Sequence, residues 1–88
     1  MNKYMVVATF HPNVEWDEIT ALVAQEQVAA KLLQDEGLLT ELRISVARDK
    51  VFLEVTAEDH AGAETLVHRL PLAKWWDLEV YQLAPPVL

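Results

Sequence analysis

Three glutamates, Glu26, Glu54 and Glu79, together with Arg43 and Tyr81, are the side chains whose types and positions suit proton transfer. A carboxylate set against apolar neighbours has its pKa pushed up toward the working range of a general acid or base, and a second carboxylate nearby pushes the same way. Arg43 is the one basic side chain predicted on the same sheet face, where a guanidinium can grip a substrate carboxylate or steady an enolate. Such a set supports removal of a proton α to a carbonyl and its return elsewhere, with a donor holding the developing enolate. Glu26, Glu54, Glu79 and Arg43 are therefore the candidate catalytic residues, and Thr9, Ser45, Phe52, Trp75, Trp76 and Tyr81 the candidate substrate contacts. Each has a plainer reading. Arg43 with Glu41 or Glu54 makes a cross-strand ion pair worth about 0.2–1 kcal/mol. Glu26 reaches water along its helix edge or pairs with a base, and Trp75 and Trp76 pack rather than wall a planar ligand.

Other chemistries have less to stand on. The absence of cysteine removes disulfides, thiolate zinc sites and cysteine nucleophiles, and makes the cytoplasm the expected location. His11, His60 and His68 fall at a strand end, a helix start and a helix end without ligand spacing, so no metal is expected; His68 suits dipole compensation at a helix C-terminus. Ser45 lacks a nucleophile-elbow context, and with only two glycines, Gly37 and Gly62, no phosphate-cradling loop forms. No cofactor is expected.

Composition bounds the frame that must position these groups. The chain has 88 residues, 52% of them hydrophobic, which makes one small domain over residues 1–88. A chain of this size buries only about 60–65% of its unfolded surface, so a homodimer or higher homo-oligomer is expected alongside a small-molecule substrate. A net charge of −7, with seven scattered bases, argues against nucleic acid. No stretch approaches the roughly 18–20 apolar residues of a membrane helix, and the first residues lead into a strand rather than a signal-peptide core.

Residues 3–11 read as a strand stopped by Pro12-Asn13, with Asn13 as the N-cap of a helix that runs to Gly37. Glu15, Asp17 and Glu18 suit its first turn. Strands over residues 39–48 and 51–56 follow, separated at Asp49-Lys50 by a hairpin turn. Thr56 and Asp59 resemble a capping box for a second helix ending before Pro71. Residues 72–75 connect to a fourth strand over 76–83, and Ala84-Pro85-Pro86 forms a stiff tail. The order is β-α-β-β-α-β, the ferredoxin-like plait: an α+β fold with a four-stranded antiparallel sheet and both helices on one face. Alternation assigns Val6, Ala8, Leu42, Ile44, Val46, Val51, Leu53, Val55, Leu78 and Val80 to that face. The bare face receives Met5, Val7, Thr9, His11, Glu41, Arg43, Ser45, Phe52, Glu54, Thr56, Asp77, Glu79 and Tyr81. That mixture of apolar and charged residues suits a dimer interface enclosing a polar pocket, with Glu54 and Glu79 on neighbouring positions and Glu26 approaching from the helix side. At about 100° per residue Glu26 lies in the apolar stripe of Ile19, Leu22, Val23, Ala29, Ala30 and Leu33, where it must meet a partner or stay protonated. Ala21, Val28 and Leu32 form a weaker second stripe.

The run Leu70-Pro71-Leu72, then Trp75, then Asp77-Leu78-Glu79-Val80 resembles the muconolactone δ-isomerase family, whose chains carry a similar LPL, aromatic and D-I/L-E-V series. Gln34-Asp35-Glu36-Gly37 is similar to that family's Q-x-E-G segment, Leu42-Arg43 falls at its Leu-Trp-Arg stretch, and Glu26 aligns with an acidic residue of its first helix. The likeness covers residues 26–83, while Met5 and Val7 stand where the family has polar or basic side chains and the hairpin is shorter. What the resemblance implies is a dimeric α+β barrel of two plaits, a role in the breakdown of aromatic compounds, and a cofactor-free reaction that moves a double bond within an unsaturated lactone, expected here to be small and anionic. Two alternatives stand beside it. Other dimeric α+β barrels are cofactor-independent monooxygenases of aromatic polyketides, and a third possibility is a barrel that binds a small ligand without catalysis.

Overall fold

Along the chain run β1 (Asn2–Phe10), α1 (Trp16–Asp35), β2 (Leu39–Ile44), β3 (Lys50–Ala57), α2 (His60–Val67), a 3-10 turn (Pro71–Trp75) and β4 (Trp76–Gln82). This computed structural model describes residues 1–85, so the end of the expected tail, Pro86, lies outside the described residues. The four strands form one antiparallel sheet in the order β2-β3-β1-β4, an α+β arrangement compatible with the ferredoxin-like plait. The central strands show why. Tyr4, Val6 and Ala8 on β1 face the same way as Val51, Leu53 and Val55 on β3, and Val6 stands opposite Leu53 with both at 0% exposure. Each such fully buried aliphatic side chain contributes about 1.5–3 kcal/mol. Ile19 and Leu33 of α1 and Ala63, Leu66 and Val67 of α2 join that one cluster, so both helices cover the same sheet face.

Local chemistry sets the helix ends, and not always where the sequence suggests. Asn13 is not the N-cap of α1: Pro12 and Asn13 form a turn, the helix opens three residues later, and Glu15 occupies the cap position without a side-chain bond. Aromatic packing fixes this start. Trp16 lies 5.3 Å from Phe10, whose ring meets Trp76 edge-on at 5.9 Å, so the first residue of the helix is held to the sheet. Gly37, at φ 76, ends α1 in the left-handed region, and the N–H of Leu38 donates to the carbonyl of Leu33 at 2.9 Å. In α2 the capping box is also corrected. Thr56 belongs to β3, and Asp59 itself is the N-cap, accepting from the Gly62 N–H at 2.7 Å.

The edge strand β2 ends at Ile44 rather than at Arg48, so Val46 is not a core residue; it stands in the hairpin loop at 102% exposure. A two-residue turn at Asp49-Lys50 would demand positive φ at Asp49, and in the type I′ form at Lys50 as well. The chain instead uses residues 45–49, with only Arg48 left-handed at φ 61. Ser45 organises the loop by donating its hydroxyl to Asp49 Oδ1 at 2.8 Å and accepting from the Lys50 N–H at 3.1 Å. At the other end of β2 a bulge at Thr40 lets Leu39 pair with Val55 and Glu41 with Glu54. Both Leu39 and Leu42 thereby reach the helix-covered face despite their three-residue spacing.

Candidate functional site

The first helix lies over the sheet with Glu26 in the middle of its inner stripe, directed at the 3-10 turn. Leu72 stands in the first turn, where backbone N–H groups have no acceptor within the helix, and Glu26 Oε1 accepts from its amide at 2.9 Å. Of the two fates the sequence allowed, Glu26 thus meets a partner, but the partner is a neutral amide rather than a cation. Burial raises its pKa above the usual 4.5, and the Leu72 hydrogen bond pulls back only part of that rise.

Around this carboxyl is a cleft of about 300 Å³. The first helix supplies Val23, Glu26, Gln27 and Ala30, the sheet supplies Leu42, Ile44, Val51 and Trp76, and the turn supplies Leu72. Val23, Gln27 and Ile44 are exposed at its rim, whereas Val51, Leu72 and Trp76 are buried. An ionisable group with a raised pKa inside an apolar concavity is the arrangement general acid-base chemistry uses. Gln27, Val23 and Leu72 were not among the sequence candidates. Leu72 could have been found from Pro71, since a proline marks the first position of a helical turn and the amides there have no acceptor within the helix.

The remaining candidates lie elsewhere. Because successive strand residues alternate, Thr9, Arg43, Phe52, Glu54, Glu79 and Tyr81 occupy the uncovered face, with the sheet between them and Glu26. Glu26 therefore does not approach Glu54 and Glu79. Nor are those two neighbours: β1 separates β3 from β4, and the cross-strand partner of both Glu54 and Tyr81 is Met5, while Glu79 faces Val7. Two strand spacings put their Cα atoms roughly 10 Å or more apart, too far for strong mutual repulsion. Glu54 accepts from the Thr40 hydroxyl at 3.0 Å and has Lys3 Nζ at 3.9 Å. Glu79 accepts from the Tyr81 hydroxyl at 2.5 Å, and that bond raises the phenol pKa. Arg43 pairs with Glu41 on its own strand at 3.1 Å, with both groups well exposed. Lys50 Nζ donates to Thr9 at 3.3 Å, and Ser45 serves the hairpin loop.

The tryptophans divide as well. Trp76 forms part of the cleft, but Trp75 sits at the end of the 3-10 turn with Lys74 Nζ 5.5 Å from its ring centroid. Both indole N–H groups are buried without an acceptor among the described residues, so apolar packing is what places these rings. His11 lies 3.1 Å from Asp77 and His60 lies 3.8 Å from Glu64. Among the described residues no three His, Cys, Asp or Glu side chains gather closely enough to hold a metal, and no helix is long and apolar enough to cross a membrane. Neither a scan against protein-family models nor a search of curated proteins finds a match to the chain.

Proposed function

We propose that this protein is a cofactor-free isomerase of the muconolactone δ-isomerase kind, shifting a double bond in a small unsaturated lactone or related carbonyl compound by proton transfer, with Glu26 as the acid-base group. The observation that carries this reading is the half-buried Glu26 carboxyl, its pKa raised by burial, at an apolar cleft of about 300 Å³. As a carboxylate it takes the proton α to the carbonyl, giving a conjugated enolate; as the acid it returns that proton at the far carbon, restoring its own charge. No net proton or electron is exchanged. A raised pKa makes the carboxylate a stronger base, and acid-base catalysis of this type contributes about 10²–10⁴-fold. Glu26→Gln keeps an acceptor for the Leu72 N–H while removing the titration. Ultraviolet assay of butenolide isomerisation is expected to show turnover by the wild type and at least about a hundredfold lower rate in the variant. Absence of turnover, or an undiminished rate in Glu26→Gln, contradicts the proposal.

The reading includes a dimer. Met5, Val7 and Phe52 are half-buried on the uncovered sheet face, framed by Lys3, Arg43, Glu54 and Glu79, and pairing two such faces gives the dimeric barrel that the resemblance implies. A polyketide monooxygenase has less support, because about 300 Å³ is at the lower end for a small-molecule site and Trp75 and Tyr81 lie away from the cleft. Ligand binding without catalysis has one observation in its favour: Glu26 already ties the first helix to the 3-10 turn through Leu72. If that tie is its whole role, Glu26→Gln leaves both ligand affinity and fold intact and no lactone is turned over.

A further inference from the structure

We propose that the Glu26 cleft selects an uncharged ligand: a compound of about one small ring, carrying a carbonyl or similar acceptor and no carboxylate or ammonium group. The inference rests on the proton-transfer reading and assigns a neutral substrate in place of the anionic lactone expected from the sequence. Among the described residues, Glu26 is the only charged side chain that lines the cleft; no Lys, Arg or His contributes. Arg43, the group that sequence alone offers as a grip for a substrate carboxylate, lies on the opposite sheet face and is engaged by Glu41 at 3.1 Å. An anionic ligand would lose its hydration beside a like charge with no cation to replace it. The chain's net charge of −7 opposes its approach at longer range.

A cation is not the alternative. An ammonium brings three donors that need acceptors, and beyond the Glu26 carboxyl, which already accepts from the Leu72 N–H, the lining offers only the amide oxygen of Gln27 at the rim. The rest of the cleft is aliphatic and aromatic apart from Gln27, whose exposed amide at the rim offers a neutral donor suited to a carbonyl. The volume of about 300 Å³ fits a single small ring with short substituents.

Three probes of similar size separate the charge classes: a methyl-substituted butenolide, the same ring bearing an acetate arm, and cyclopentenylamine. Each is titrated into the isotope-labelled protein at neutral pH, following the backbone amides of Leu72 and Gln27. The neutral lactone is expected to shift both amides and to bind at least about tenfold more tightly than the acid, a gap that narrows in Glu26→Gln. Equal or tighter binding of the acid or the amine, no response to any probe, or an unchanged gap in the variant overturns the inference. Turnover is scored separately. Neutral binding without isomerisation removes the catalytic reading and leaves the ligand class standing, whereas preferential isomerisation of the acetate-bearing lactone removes the ligand class and leaves catalysis.

Discussion

Glu26 is the residue at which the sequence and the structure give the same warning for the same reason: a carboxyl in an apolar helix stripe. The consequence for stability has a definite sign. Its folded pKa lies above the usual 4.5, so the folded protein keeps a proton there at pH values where the unfolded chain has released it. The stability that this proton contributes is complete below pH 4.5 and is lost as pH rises through the raised pKa. Glu26→Gln lacks that loss. Urea unfolding of both proteins from about pH 4 to about pH 7 is expected to show their stability difference moving in favour of the variant as pH increases, and a difference independent of pH contradicts the assignment. Glu26→Ala lacks the same loss, so its difference from the wild type moves with pH in the same direction, but it leaves the Leu72 N–H without its acceptor and is expected to lie about 1 kcal/mol below Glu26→Gln throughout that range. The roles of Glu54, Glu79 and Arg43 were less legible. Alternation placed them on the uncovered face, but it does not reveal that β1 lies between β3 and β4 or that Arg43 pairs along its own strand.

Among the elements, those bounded by a residue with a unique conformational property were the easiest to read. Gly37 ends α1 because only glycine takes φ 76 without strain, and Pro71 opens the 3-10 turn because its missing N–H is not needed there. Starts and turns set by tertiary contacts were harder. Trp16 begins α1 by packing on Phe10, and the hairpin is longer than Asp49-Lys50 alone indicates because the backbone places a single left-handed residue at Arg48. Two substitutions probe these elements in opposite directions. Arg48→Gly relieves an L-residue in the left-handed region and is expected to raise stability by about 0.5–1 kcal/mol. Asp59→Ala removes the α2 cap bond to the Gly62 N–H and is expected to lower it by about 1 kcal/mol. Denaturant midpoints at constant slope check both, and a destabilised Arg48→Gly or an unaffected Asp59→Ala contradicts the local geometry described.

For the whole molecule, the uncovered sheet face matters most. Among the described residues no helix packs over its apolar centre of Met5, Val7 and Phe52, since both helices lie on the other side. A second copy covers it in the proposed dimer. Light scattering is expected to give twice the chain mass, with a melting temperature that rises with protein concentration, and Val7→Asp is expected to yield a monomer; a concentration-independent monomer in the wild type contradicts the assembly. The plait was legible from β-α-β-β-α-β order and from strand alternation. The cleft was not, because it forms where the first helix, the edge strand β2, Trp76 and the 3-10 turn converge, and no spacing along the chain encodes that convergence.

In the proposed reaction, proton transfer occurs beside Glu26, on the helix-covered side, rather than among the acids of the open face. Its most direct test compares butenolide isomerisation rates of Glu26→Gln, Glu54→Gln and Glu79→Gln with the wild type under one set of conditions. The expected result is a loss of about a hundredfold or more in Glu26→Gln alone, with the other two within a few-fold of wild type. A collapse in Glu54→Gln or Glu79→Gln while Glu26→Gln keeps its rate contradicts the account.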